Sequence, residues 1–220
     1  MRLKNHRKMG RFICGHMASE EMPLRRKLFV LGNLAPDLKL SFLLRLHSHS
    51  TCSKRLEKII RRLHNSKRKS SSRMFSYKLG VMAHYICDFL CHTHTAAFDG
   101  GFREHYKYEK KQIVTPAKVV PFNKERCMSQ SYCDLLSALE KCVAKRERIV
   151  NSNTDLSGTD VHVAMNIALW AATAIYMRSV AKRNRAKSIK CRRLGKLTFS
   201  DLDDPFYNDG IIVDDFTNIA

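Results

Sequence analysis

His84 and Asp88 stand four residues apart, and so do His105 and Glu109, with His94 between the two pairs. A spacing of four places two side chains on one face of a helix, one turn apart. The neighbours are apolar: Leu79, Val81, Met82 and Ile86 around the first pair, Phe102 and Tyr106 around the second. An ionised carboxylate buried on such a face is very costly unless it is paired or holds a metal. One pair alone reads as a His–carboxylate hydrogen bond in a core. Two pairs within 26 residues, with a histidine between them, make an N/O donor set suited to zinc, with iron or manganese as the lesser choices.

More donors lie upstream. His6 opens the first expected helix, Asp37 ends the run Gly32-Asn33-Leu34-Ala35-Pro36-Asp37, and His47 follows ten residues later. The candidate set is therefore His6, Asp37, His47, His84, Asp88, His94, His105 and Glu109. At about four ligands per zinc, with shared carboxylates and waters, it supports two or three ions. The other histidines have plainer expectations. His16 is expected to be exposed, and His64 and His162 to be structural. His92 would stand behind the donors, and His49 is the alternative to His47. Tyr85, Phe89, Tyr106 and Tyr108 flank the set, as pocket lining or as core.

These residues need helices to position them, and the sequence offers little else. Apolar residues recur at helical spacing over residues 4–18, 20–31, 54–65, 72–91, 102–113, 124–150 and 160–183, and strand-type alternation is nearly absent. The fold class is all-α. Gly32 is expected to end the second helix, and residues 33–37 to form a turn, because Pro36 disfavours helix at Ala35. Pro116 is expected to stop the 102–113 helix, and KRKSSSR at 67–73 reads as a polar loop. The longest charge-free stretch, 161–177, has 17 residues and contains His162 and Asn166. It falls short of the roughly 20 a membrane span needs and reads as a buried core helix.

Composition bounds the partner. The 220 residues are 44% hydrophobic and 27% charged, which is globular and excludes wholesale disorder. The net charge is +20 and the pI about 9.9, so an anionic partner is expected: nucleic acid, a lipid surface or a phosphorylated small molecule. The last twenty residues hold six Asp and no Lys or Arg, leaving forty basic against fourteen acidic residues, +26, on the first 200. We therefore divide the chain into a helical metal-binding domain at 1–200 and an acidic tail at 201–220, with a basic stretch at 182–196. Residues 1–12 are charged and lack a secretory apolar run, so a cytoplasmic setting with reduced cysteines is expected. Of the eight cysteines, Cys87 and Cys91 read as small core residues. Cys87 and Cys91 share a helix face, but no second cysteine pair matches them as a zinc site.

The donor series, in its order and chemical types, resembles the zinc-dependent phospholipase C family. These are small all-helical bacterial enzymes with a trinuclear zinc cluster, related to the S1- and P1-type nucleases. The likeness rests on His6, the Gly-x-x-x-Pro-Asp run ending in Asp37, His47, His84-x-x-x-Asp88, His94 and His105-x-x-x-Glu109, and covers residues 1–113, about half the chain. It implies a single helical bundle of the phospholipase C and P1 nuclease type. It implies one zinc on Asp37, His47, His84 and Asp88, a second on His94, His105 and Glu109, and Asp88 bridging to a third shared with His6. Secreted members complete that third zinc with a processed N-terminal residue; here Met1 precedes His6 by five. The implied activity is phosphoric diester hydrolysis by a zinc-activated water, with Asp37 and Asp88 as the catalytic carboxylates and Asp37 as general base. The implied substrate is a phosphodiester such as a phospholipid; with the basic charge and the cytoplasmic setting, peripheral contact with an anionic membrane at its inner face is expected.

Two other readings remain at this point. A zinc nuclease of the same fold would use the positive field to gather a polyanion, although the last pair of those enzymes usually ends in Asp where this chain has Glu109. A basic nucleic-acid-binding protein without catalysis would leave the histidines structural, but no recognisable binding module is present. No His-Asp dipeptide and no G-x-S-x-G elbow occurs, which disfavours HD-type phosphohydrolases and serine hydrolases.

Overall fold

The computed structural model describes residues 1–38, 48–66, 72–114, 119, 131–150 and 157–193. The expected 201–220 tail, His47 and most of the 67–73 loop lie outside the described residues. Seven α-helices and one 3-10 turn make up the described fold, and no strand occurs among the described residues. In chain order they are α1 (Leu3–Ser19), α2 (Arg26–Leu38), α3 (His49–His64), α4 (Arg73–Phe89), a 3-10 turn (His92–His94), α5 (Phe102–Lys111), α6 (Tyr132–Val150) and α7 (Ser157–Arg193). Contacts divide the chain into Met1–Asn184 and Arg185–Ala220; of the second unit, the described residues are helical.

α4 is the central helix. Twelve of its 17 residues are buried, with Phe75, Leu79, Met82, Ile86 and Phe89 all within 2% of full burial. Its start is fixed by Ser72, whose hydroxyl accepts a hydrogen bond from the Phe75 N–H at 3.3 Å. α1 lays Met9, Ile13 and Met17 into the core, and His6 continues that same buried stripe. α1 ends where Glu21 enters the left-handed region at φ 58° and the Met22 N–H reaches back to the Met17 carbonyl at 2.8 Å. α7 is long and apolar enough to cross a membrane, but most of that stretch is buried inside the protein. Val161, Ala164, Ala168, Leu169 and Ile175 are core residues, as a core helix requires.

α2 departs from the sequence expectation in both position and end. It begins at Arg26 and continues through Gly32 and Pro36 to Leu38, so residues 33–37 are helix and not a turn. The proline removes one backbone donor, and that loss falls in the last turn. Packing against α4 outweighs it. A Cβ at Gly32 would collide with the Tyr77 carbonyl oxygen, and one at Gly80 with the Phe29 carbonyl oxygen. The two helices therefore touch backbone to backbone at a reciprocal glycine contact, where only hydrogen fits. α2 must stay helical past Gly32 to keep this face, and Asp37 leaves its final turn toward α4.

Candidate metal centre

The glycine contact sets the first half of the site. It brings the Asn33 carbonyl oxygen to 2.9 Å from His84 Nδ1, while the Asn33 side-chain amide donates to the His6 carbonyl at 2.7 Å. A carbonyl only accepts, so His84 Nδ1 carries the proton and Nε2 points away from α2. That Nε2 faces Asp88 Oδ2 at 3.1 Å and Asp37 Oδ1 at 3.6 Å. His6 stacks on the His84 ring with centroids 4.0 Å apart, and its Nε2 lies 3.0 Å from Asp88 Oδ1 and 4.0 Å from Asp37 Oδ2. Donor atoms of His6, Asp37, His84 and Asp88 all lie within 4.8 Å of one another.

The second half is shallower. His94, His105 and Glu109 form another group with donor atoms mutually within 4.8 Å. Glu109 Oε1 lies 2.8 Å from His105 Nε2 and 3.3 Å from His94 Nε2. His94 Nε2 is also 3.8 Å from Asp88 Oδ1, so the two groups adjoin. They meet through the 3-10 turn rather than along an extended α4–α5 face. His47 lies outside the described residues. His49 opens α3 with its ring edge-on to Phe89 at 5.3 Å and belongs to neither group.

The spacing of side chains did not place the Met1 amine. It lies between the two groups, 3.0 Å from Asp88 Oδ1, 2.6 Å from Glu109 Oε1 and 2.7 Å from His94 Nε2. Burial alone would lower its pKa; Asp88, Glu109 and Cys91 overcome burial, and it is pushed up to about 12. Burial works against the ionised form of both carboxylates as well. The Met1 ammonium and the histidines hold Asp88 well below its ordinary range, and hydrogen bonds from His105 and His94, with the Met1 ammonium, do the same for Glu109. Burial pulls His6 and His94 down, helped by His84 beside His6 and by the Met1 amine beside His94. Burial opposes protonation of His84 too, but Asp88 and Asp37 prevail and raise it.

This electrostatic pattern tests the fit of a cation. The His84 Nε2 lone pair and the Asp88 carboxylate cannot face each other at 3.1 Å without positive charge between them. A proton meets that need, and so does a divalent ion. The Met1 ammonium stands in for a cation between Asp88 and Glu109 in the same way. The imidazole and carboxylate donors are those zinc takes, so the residues fit the metal.

A second buried network holds the shallow half. Asp160, at the start of α7, is fully buried and pairs with Arg146 of α6. Its Oδ2 accepts from the His92 backbone N–H at 2.9 Å and from the Tyr108 hydroxyl at 2.6 Å. One carboxylate thus ties α6, α7, α5 and the 3-10 turn together, two residues from His94 and one from Glu109. Its only sequence signal is an Asp opening an apolar helix. The aromatic neighbours split. Tyr85 and Phe89 are core, but Phe102 is 91% exposed and Tyr106 is 50% exposed, so the apolar face expected around His105 and Glu109 faces solvent instead. The reason is angular: Phe102 and Tyr106 lie about 60° and about 100° around the helix from His105, on the side turned to solvent.

An all-helical bundle carrying two adjoining His/carboxylate groups is the setting of a zinc-dependent hydrolase. The model of the zinc-dependent phospholipase C family matches residues 6–153, two thirds of the chain, and the protein belongs to that family. Its general class is therefore zinc-dependent hydrolysis of phospholipid-type substrates. No curated protein and no solved structure matches the chain.

Proposed function

We propose that this protein is a phosphoric diester hydrolase of the phospholipase C kind, using two or three zinc ions. The observation that carries the proposal is the junction of the two groups, where Asp88, His94 and Glu109 lie within 3.8 Å of their nearest partners. In this reading His6, Asp37, His84 and Asp88 hold zinc in the deep half, with His47 the further ligand expected from sequence, and His94, His105 and Glu109 hold it in the shallow half. Asp88 bridges. Bound zinc supplies Lewis acidity, lowering the pKa of a water and offsetting charge on the phosphate oxygens.

The chain's own groups then have distinct tasks. The Asn33 carbonyl fixes the His84 tautomer so that Nε2 stays available. Asp37 is the proton acceptor: its side chain is 23% exposed, against 1% for Asp88 and 10% for Glu109, so it is the carboxylate an incoming water reaches. Asp88, sealed from solvent, stays ionised and orients His6 and His84. The test is zinc content and turnover of p-nitrophenyl phosphocholine by protein purified without chelators. Two or more zinc equivalents with turnover are expected; zinc-free protein or zinc-loaded protein without turnover sinks the proposal. A zinc nuclease of the same fold is the second reading, supported by the net charge of +20. Single-stranded DNA offered in the same assay decides between them.

A further inference from the structure

α5 presents three different faces. His105 and Glu109 turn inward to the shallow half of the site. Next to them, on the rim, Phe102 and Tyr106 form an exposed aromatic stripe. Beyond the stripe lie Arg103, Lys107 and Lys110, all exposed. A phenylalanine left 91% exposed on a regular helix is unusual for a side chain that gains by burial. Tyr106 also carries the Arg2 guanidinium over its ring at 5.3 Å, which extends the basic margin across to the start of α1. Aromatic rings beside a row of cations on one helix are the composition of an interfacial helix: the rings enter the headgroup–acyl boundary and the cations meet anionic headgroups.

We propose that the Phe102–Tyr106 stripe of α5 seats the protein on an anionic phospholipid leaflet, with the metal centre facing the same surface. Charge complementarity selects this occupant, because the stripe is flanked by cations and the whole chain carries +20. The geometry gives the contact a purpose. His105 and Glu109 lie on the same short helix, so seating the rings brings the shallow half of the site to headgroup depth. The surface deepens the phospholipid reading above and rests on it.

The experiment is flotation of the zinc-loaded full chain with vesicles of phosphatidylcholine alone and of phosphatidylcholine with about 30% phosphatidylserine. The wild type should bind the anionic vesicles at least about tenfold more tightly than the neutral ones. Phe102→Ala/Tyr106→Ala should lose about tenfold or more on the anionic vesicles. Arg103→Gln/Lys107→Gln/Lys110→Gln should lose the preference for phosphatidylserine. Both variants should keep wild-type zinc content and the soluble-ester rate. A Phe102→Trp variant adds a direct readout, because the single native tryptophan, Trp170, is 6% exposed. Its emission should shift to the blue on anionic vesicles. Wild-type binding by the aromatic double variant, no binding by the wild type, or no shift from Phe102→Trp overturns the surface, and would leave the stripe to another protein. Flotation needs no turnover. A protein inactive on the ester but seated through Phe102 and Tyr106 would sink the hydrolase reading and leave this surface standing.

Discussion

His6, His84 and Asp88 hang from two long buried helices, α1 and α4, whose side chains at these positions are at most 1% exposed. His94, His105 and Glu109 hang from a three-residue 3-10 turn and a ten-residue helix, and are 7–17% exposed. The deep half is placed by packing: α1 lays Met9, Ile13 and Met17 into the core, and α2 meets α4 backbone to backbone at Gly32 and Gly80 whatever the donors are. The shallow half has little apolar surface of its own, and Glu109 is the only buried residue within α5. It is held by polar bonds, above all those of Asp160. One protein thus positions similar chemistry by two physical means, one insensitive to charge and one made of it.

The comparison breaks most visibly at Asp88, which both halves share. Asp88→Asn keeps the shape and removes the charge, and should lower p-nitrophenyl phosphocholine turnover by about a thousandfold or more. Metal analysis of the same sample should show fewer zinc equivalents; full zinc and full turnover would refute the bridging role. Asp160→Ala leaves Arg146 buried without its partner and should cost about 3–5 kcal/mol in denaturant unfolding. Zinc loss in that variant should be confined to the shallow half, readable as one weakened phase in a chelator titration. Equal weakening of both phases would show that the halves are not independent.

Gly80→Ala attacks the other half. It forces α2 and α4 apart and should cost about 1–3 kcal/mol, with the chelator phase left intact by Asp160→Ala now the one affected. The smallest effect is a control. Glu21 sits in left-handed backbone at φ 58°, so Glu21→Gly should raise stability by about 1 kcal/mol and leave both zinc phases unchanged. A change in zinc affinity there would mean that general stability, and not local geometry, sets metal binding.

The two halves also differ in how far the sequence exposed them. His84 with Asp88 and His105 with Glu109 were legible because a four-residue spacing maps directly onto a helix face. The all-α class followed from the same periodicity. Asp37 was legible as a candidate donor but not in its setting, because Pro36 speaks locally for a turn while the contact that overrides it involves Tyr77 and Gly80, over forty residues away. Met1 was not legible in the residue pattern and was pointed to only by the resemblance: a backbone amine carries no side-chain signal, and its partners Asp88 and Glu109 are 87 and 108 positions distant. Phe102 and Tyr106 were assigned to the wrong face, since apolar character marks a core only when something packs against it. Asp160 gave no sign beyond an acid opening an apolar helix, because a lone acid joins a network only through the fold.

The reciprocal glycine contact also acts as an origin from which distances along the chain are counted. Asp37 stands five residues beyond Gly32; His84 and Asp88 stand four and eight beyond Gly80. Losing or gaining one residue within either interval would swing the carboxylate or imidazole about 100° around its helix, out of the centre, while leaving composition and hydropathy almost untouched. Substitutions can therefore accumulate on these helices over evolutionary time, but insertions and deletions between a glycine and its donor cannot.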